Sequence, residues 1–158
     1  MDRQRAAADR QRAAADLRAF TEAAAADRQA AAADRQRQMA ILDTLTAQIR
    51  NQALRARNRQ ALTDPSINGL GQRLHPLLKE QSGLGAALPG ANALAQPVEG
   101  RVGQPIGAPF PTTVRRLHVL SNTQLSVLAM LFNDDFGIAP GDTLQVRRTK
   151  FQQFIVGM

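Results

Sequence analysis

Bulky apolar residues are unevenly spread along this chain. They gather in three stretches, near residues 39–54, 67–94 and 114–158, and the first 38 residues are built mostly from Ala, Arg, Gln and Asp. Residues 1–62 contain neither Pro nor Gly and consist largely of strong helix formers, which predicts one long helix. A seven-residue unit recurs in it, opening at Asp2, Asp9, Asp16, Asp27 and Asp34, with spacings of 7, 7, 11 and 7. A heptad repeat is the pattern of a left-handed coiled coil, and a four-residue insertion is a stutter that unwinds it locally. Arg5 with Asp9, and Arg12 with Asp16, stand four apart on one surface of such a helix. The coiled-coil seam offers mainly alanine at first, with a short stripe at Leu17, Phe20 and Ala24. A stronger stripe follows at Leu42, Leu45 and Ile49, with Met39 and Leu54 near its edges. A partner helix is therefore expected against residues 38–56.

The pattern changes at Thr63-Asp64-Pro65, where proline stops the helix. Residues 63–111 hold seven of the eight prolines and eight of the eleven glycines, which predicts a loosely ordered Pro/Gly-rich linker rather than a long element. Leu70, Leu74, Leu77, Leu78, Leu84 and Leu88 are apolar enough to dock part of it on a neighbour.

Residues 112–158 read as a small helical module. Ser121-Asn122-Thr123-Gln124 is a capping box, in which the Ser hydroxyl accepts from a backbone N–H and Gln reaches back to the cap. Leu125, Leu128 and Phe132 follow at i, i+3 and i+7, beside Leu131 and Phe136. Gly137 to Gly141 are expected to break the helix. Asp142 would then cap a second one, with Gln145 as its capping-box partner. Leu144, Phe151 and Ile155 share one stripe, expected to face Leu125, Leu128 and Phe132. Arg147, Arg148 and Lys150 are expected at or near the surface, the Arg148 stem covering the core and its head reaching water. The fold class is thus mainly α: a long N-terminal helix over 1–62 with a coiled-coil pattern, a Pro/Gly-rich segment over 63–111, and a small helix–turn–helix-like module over 112–158.

Composition narrows the chemistry. There is no Cys, which removes disulfides, thiolate nucleophiles and Cys-ligated zinc and fits an intracellular protein, nucleus and cytoplasm being left open. No apolar run approaches a membrane span of about 20 residues. The start is too charged for a secretory signal, and its recurring Asp residues are unlike a mitochondrial presequence. The two histidines, His75 and His118, each stand without a second ligand at metal spacing. Asp134 and Asp135 are adjacent, which suits a helix end or loop better than an acid–base pair. The glycines at 100, 103 and 107 form neither a P-loop nor a dinucleotide fingerprint. No cofactor, metal or small-molecule substrate is indicated, and the expectation is a protein that is not an enzyme.

The net charge of +7 is nearly all arginine, 18 of the 20 basic residues. Residues 1–62 carry 12 basic and 7 acidic groups, and Asp is interleaved with Arg for most of that length. Two clusters stand out. Arg50, Arg55, Arg57 and Arg59 close the long helix with no acid among them, where cations also relieve the helix dipole. Arg115, Arg116, Arg147, Arg148 and Lys150 would form one basic rim if the terminal helices pack together. Guanidinium groups pair well with phosphate, so both clusters are candidate anion or nucleic-acid contacts. No aromatic platform accompanies them, because Phe136, Phe151 and Phe154 have the pattern of core residues.

The run Pro109-Phe-Pro-x-Thr, then Leu117-x-x-Leu120-Ser-x-x-Gln124-Leu125-x-x-Leu128, a Gly-containing turn, and Arg147-Arg148-x-x-Phe151-x-x-Phe154-Ile155-x-Gly157 resembles a C-terminal domain of many fungal proteins. That family is named for a meiotically upregulated fission-yeast protein. Leu74-His-Pro-Leu-Leu-Lys79 and the Gly-rich run after it are similar to the segment that precedes the domain. The resemblance spans roughly residues 50–158. It implies a fungal setting and an N-terminal coiled-coil-like helix, and no biochemical activity. Gly137-Ile138, Gly141 and Arg147-Arg148 also resemble the outline of the SAP helix–extended–helix DNA-binding module. The turn is one residue short of that outline, and Asp134, Asp135 and Asp142 stand where SAP modules tend to be basic.

The leading expectation is an interaction or scaffold protein that self-associates or binds a partner helix through Leu42, Leu45 and Ile49. The alternative is a nucleic-acid binder using the two arginine clusters.

Overall fold

The computed structural model describes residues 2–63, 71–90 and 97–158, with backbone alone for 2–11, 13 and 14. It is mainly helical, and the described residues contain no sheet. Helix α1 runs Asp2–Thr63, α2 Val114–His118, α3 Asn122–Phe132 and α4 Leu144–Val156. Two compact units result, Met1–Ile41 and Leu42–Met158, so the second unit begins inside α1. The Asp64-Pro65 stop and Leu70 lie outside the described residues, as do the side chains of Arg5 and Asp9.

In the first unit the described side chains are almost all exposed, including Leu17 and Phe20. Alanine, arginine and glutamine supply helix propensity there without a core to pack against.

The second unit has one core. Leu125, Leu128 and Phe132 of α3 are buried in it together with Phe151 and Ile155 of α4, and Leu144 packs half-buried at its margin. Val114 and Leu117 of α2 join them. Several aromatic pairs meet edge to face, among them Phe136 and Phe151 at 5.0 Å and Phe132 and Phe154 at 5.2 Å between centroids, while Phe151 and Phe154 lie stacked at 6.3 Å.

The local signals around α3 hold in detail. The Ser121 hydroxyl accepts from Gln124 N–H at 3.2 Å, and Ser121 N–H donates to the Gln124 side chain at 2.9 Å. The helix stops earlier than the glycines suggest. Asn133 takes a left-handed conformation (φ 55°) and closes α3 four residues before Gly137; asparagine tolerates that conformation better than most residues. The cap of α4 also differs from the expectation. Thr143, not Asp142, is the N-cap, and its hydroxyl accepts from Val146 N–H at 3.4 Å. Asp142 is occupied elsewhere, its carboxylate accepting from Ala139 N–H and from the Lys150 ammonium, both at 2.7 Å. A side chain that closes the preceding turn is not available to cap the helix.

Residues 71–90 and 97–111 contribute to the core beside the helices. Leu74, Leu77, Leu88, Ile106 and Phe110 are all buried in it, while Leu78 and Leu84 are half-buried. These stretches form no regular element, so their backbone groups need partners elsewhere. Along one edge of residues 74–79, Leu74 N–H donates to Thr112 O at 3.0 Å, Lys79 N–H to Gln104 O at 2.9 Å, and Leu77 O accepts from Ile106 N–H at 2.9 Å. The opposite edge is bonded by two asparagines of α1. His75 N–H donates to Asn58 Oδ1 at 2.7 Å and His75 O accepts from Asn58 Nδ2 at 3.0 Å. Leu78 N–H donates to Asn51 Oδ1 at 2.7 Å and Leu78 O accepts from Asn51 Nδ2 at 2.8 Å. Pro76, between them, has no N–H to satisfy.

Further on, the chain lies against α3. Gly85 N–H donates to Met130 O at 2.8 Å, and Leu88 N–H to the Ser126 hydroxyl at 2.9 Å. A Cβ on Gly85 would stand 2.8 Å from Asn133 Cα and 3.0 Å from Ala129 O, so only glycine permits this approach.

Candidate partner-helix surface

Within the second unit, α1 has two unlike faces. Ala47, Asn51 and Asn58 are buried, and Leu54, Ala61 and Leu62 pack half-buried against the core. Their spacing of 4, 3, 4 and 3 or 4 residues keeps them on one side of the helix. At about 100° per residue, Leu42, Ile49 and Leu45 lie about 180°, 160° and 120° around the axis from Asn51. The three expected seam residues are therefore turned away from their own core, with exposures of 61% for Leu42, 48% for Leu45 and 67% for Ile49. Leu54, placed by its sequence position at the edge of that stripe, packs inward. In the first unit Met39 and Ile41 are exposed as well.

The arginines at the end of α1 divide by role. Arg50 and Arg57 are exposed, with no ion-pair partner among the described residues. Arg59 is exposed and donates to Val156 O at 2.7 Å, a neutral acceptor that leaves its charge uncompensated. Arg55 faces inward: its guanidinium stands 3.3 Å from Glu80 and lies over the Phe154 ring at 5.3 Å.

The C-terminal basic group does not form one open rim. Arg115 and Arg116 are exposed on α2. Arg147, expected at the surface, is 7% exposed, and its Nε donates to Asp142 O at 3.0 Å. Its helix is enclosed on a second side by the turn around Gly90, whose Cβ position lies 4.0 Å from the Arg147 guanidinium, a neighbour that helical periodicity does not reveal. Arg148 is half-buried, and its Nε donates to Leu120 O at 2.8 Å rather than reaching water alone. Lys150 is held by Asp142 and by Gly137 O, each at 2.7 Å. These bonds hold the Asp142 carboxyl below its usual range, through the Lys150 hydrogen bond first and the Ala139 N–H second.

The remaining polar candidates serve the fold. Asp134 and Asp135 accept from Phe136 N–H at 2.6 Å and Gly137 N–H at 2.8 Å and so shape the turn after α3. A 460 Å³ depression beside them is lined by Gly85–Pro89, Asn133–Asp135, Ile138 and Pro140. His75 is half-buried with its backbone held by Asn58, and His118 is exposed at the end of α2. Lys79 is the least expected residue of the core. It is 1% exposed, and its ammonium donates to Gly83 O at 2.6 Å and Leu131 O at 2.8 Å. Burial holds its pKa below the ordinary lysine value, with the Glu99 charge opposing the shift.

Sequence reading missed Asn51, Asn58 and Lys79 as interior residues. The usable signal for the asparagines was their heptad spacing with Leu54 between them. No signal in the sequence marks Lys79.

Among the described residues no helix is long and apolar enough to cross a membrane. No family model, curated protein or solved structure matches the chain.

Proposed function

We propose that this chain is a non-enzymatic interaction protein whose long helix receives another helix on the face formed by Leu42, Leu45 and Ile49. The observation that carries the reading is the placement of these residues. The opposite side of α1 docks on the protein's own core, while three large aliphatic side chains at i, i+3 and i+7 remain in water. That is the spacing by which one helix reads another. Folding leaves the stripe unburied, and covering it would remove apolar area from water.

The test is sedimentation equilibrium of the full chain up to high micromolar concentration, alone and mixed with amphipathic helical peptides, beside Leu45→Asp. Association that the substitution abolishes supports the reading. A wild-type chain that stays monomeric and binds no helix overturns it.

A second reading, nucleic-acid binding, is favoured by the exposure of Arg50, Arg57, Arg59, Arg115 and Arg116. It requires log K to fall with log[salt] by about 0.9 per phosphate contacted on duplex DNA. A flat titration sinks it.

A further inference from the structure

We infer that the helix received on the Leu42–Leu45–Ile49 face is an acidic amphipathic helix supplied by another protein. This rests on the proposed reading of that face and adds the chemistry of its occupant.

The argument is charge placement. Between Asp43 and Asp64 the sequence has four arginines and no acid. Arg55 is compensated by Glu80, which leaves Arg50, Arg57 and Arg59 as uncompensated exposed charges among the described residues. Measured from Ile49 at about 100° per residue, Arg50 and Arg57 lie about 100° and 80° to one side and Arg59 about 80° to the other. Arg50 thus borders the stripe beside Ile49, and Arg57 and Arg59, about 12 and 15 Å further along the axis, place positive charge on both flanks of the same face where it continues past Ala53 and Ala56 toward the helix end. Asp43 stands seven residues before Arg50 on the same flank, so the positive border begins beyond Ile49. A partner helix with Leu-type residues facing the stripe and Glu or Asp along its two edges would meet opposite charge on both flanks.

Other occupants fit less well. A second copy in parallel register sets Arg50 beside Arg50 and Arg57 beside Arg57. Nucleic acid would use the arginines but not the three aliphatic side chains that precede them along the helix, and no aromatic residue lies there for base stacking.

The experiment uses the full chain and two designed peptides of four heptads, both with Leu at the inward positions. One carries Glu and the other Lys at the flanking positions, and a duplex oligonucleotide serves as a third probe. Affinities are read at low and moderate salt. The acidic peptide is expected to bind at least about tenfold more tightly than its Lys twin, and more so at low salt. Arg50→Glu combined with Arg57→Glu should reverse that order. Leu45→Asp should weaken the acidic peptide at least about tenfold with unchanged helicity and unfolding.

Equal binding of both peptides, abolished by Leu45→Asp, overturns the acidic partner and leaves the helix-binding face standing. Binding indifferent to Leu45→Asp overturns the face itself. Tighter binding of the oligonucleotide than of either peptide, insensitive to Leu45→Asp, assigns the arginines to nucleic acid and overturns the inference. A dimer in sedimentation that Leu45→Asp dissociates and the paired Arg→Glu substitutions do not makes the occupant a second copy, with the same consequence.

Discussion

Asn51 and Asn58, seven residues apart on α1, each pair through both amide atoms with one backbone unit of the same extended segment, Asn58 at His75 and Asn51 at Leu78. The lengths match. Seven residues of helix rise about 10.5 Å, and three residues of extended chain span about 10 Å. One heptad of helix can therefore bond two sites on an antiparallel extended strand, each asparagine acting as a neighbouring strand would. Both side chains are buried, at 1% and 0% exposure, so water cannot replace them.

Asn58→Ala leaves the N–H and C=O of the half-buried His75 without their partner. Each unsatisfied group costs about 1–3 kcal/mol. A loss of about 2–4 kcal/mol is expected in urea unfolding, with faster amide exchange at His75 while that at Leu78 keeps more of its protection. A loss below about 0.5 kcal/mol would show that these bonds contribute little beyond those water provides.

Because the compact unit starts at Leu42, residues 42–158 should unfold cooperatively as a fragment. Residues 64–158 should not, since they lack Asn51, Leu54 and Asn58 and expose the core these cover. Circular dichroism melts and amide spectra of the two fragments check this. Equal cooperativity of both would mean that α1 is not part of the folding unit.

Lys79 links stability to alkaline pH. Its folded-state pKa lies below the ordinary lysine value of 10.5, so the unfolded chain holds the proton more tightly. Its contribution to stability therefore rises with pH from the folded value up to 10.5. Lys79→Met deletes that rise and leaves Gly83 O and Leu131 O without a donor, a loss of about 1–3 kcal/mol near neutrality. The gap between wild type and variant should widen between neutral pH and pH 10.5. A gap that narrows would show that the buried ammonium is not destabilised.

The two faces of the second unit's helices should respond oppositely to truncation. Phe151→Ala removes a fully buried ring that meets Phe110 and Phe136, and should cost about 3–5 kcal/mol, enough to unfold a unit this small. Leu45→Ala removes a side chain that is 48% exposed and should change the stability of the isolated chain by no more than about 0.5 kcal/mol. A Leu45→Ala loss comparable to that of Phe151→Ala would place Leu45 in the core and remove the proposed partner face.

The sequence by itself determined α1, α3 and α4 and some of their ends, while the short helix α2 was not foreseen. Propensity without Pro or Gly makes α1, the Ser121–Gln124 box starts α3, and the apolar spacing of α3 and α4 selects the residues that meet. These are interactions between residues within about one helical turn of one another, which a linear reading can follow. The tertiary structure decided which side of α1 docks, that Asn51, Asn58 and Lys79 lie inside, that Arg147 is enclosed, and that Asp142 serves a turn while Thr143 caps α4. The burial of Asn51, Asn58 and Lys79 depends on partners brought from elsewhere in the chain, 17 residues from Asn58 to His75, 27 from Asn51 to Leu78 and 52 from Lys79 to Leu131. A buried polar side chain generally needs such a partner for the groups it buries, and residue type alone does not carry that information.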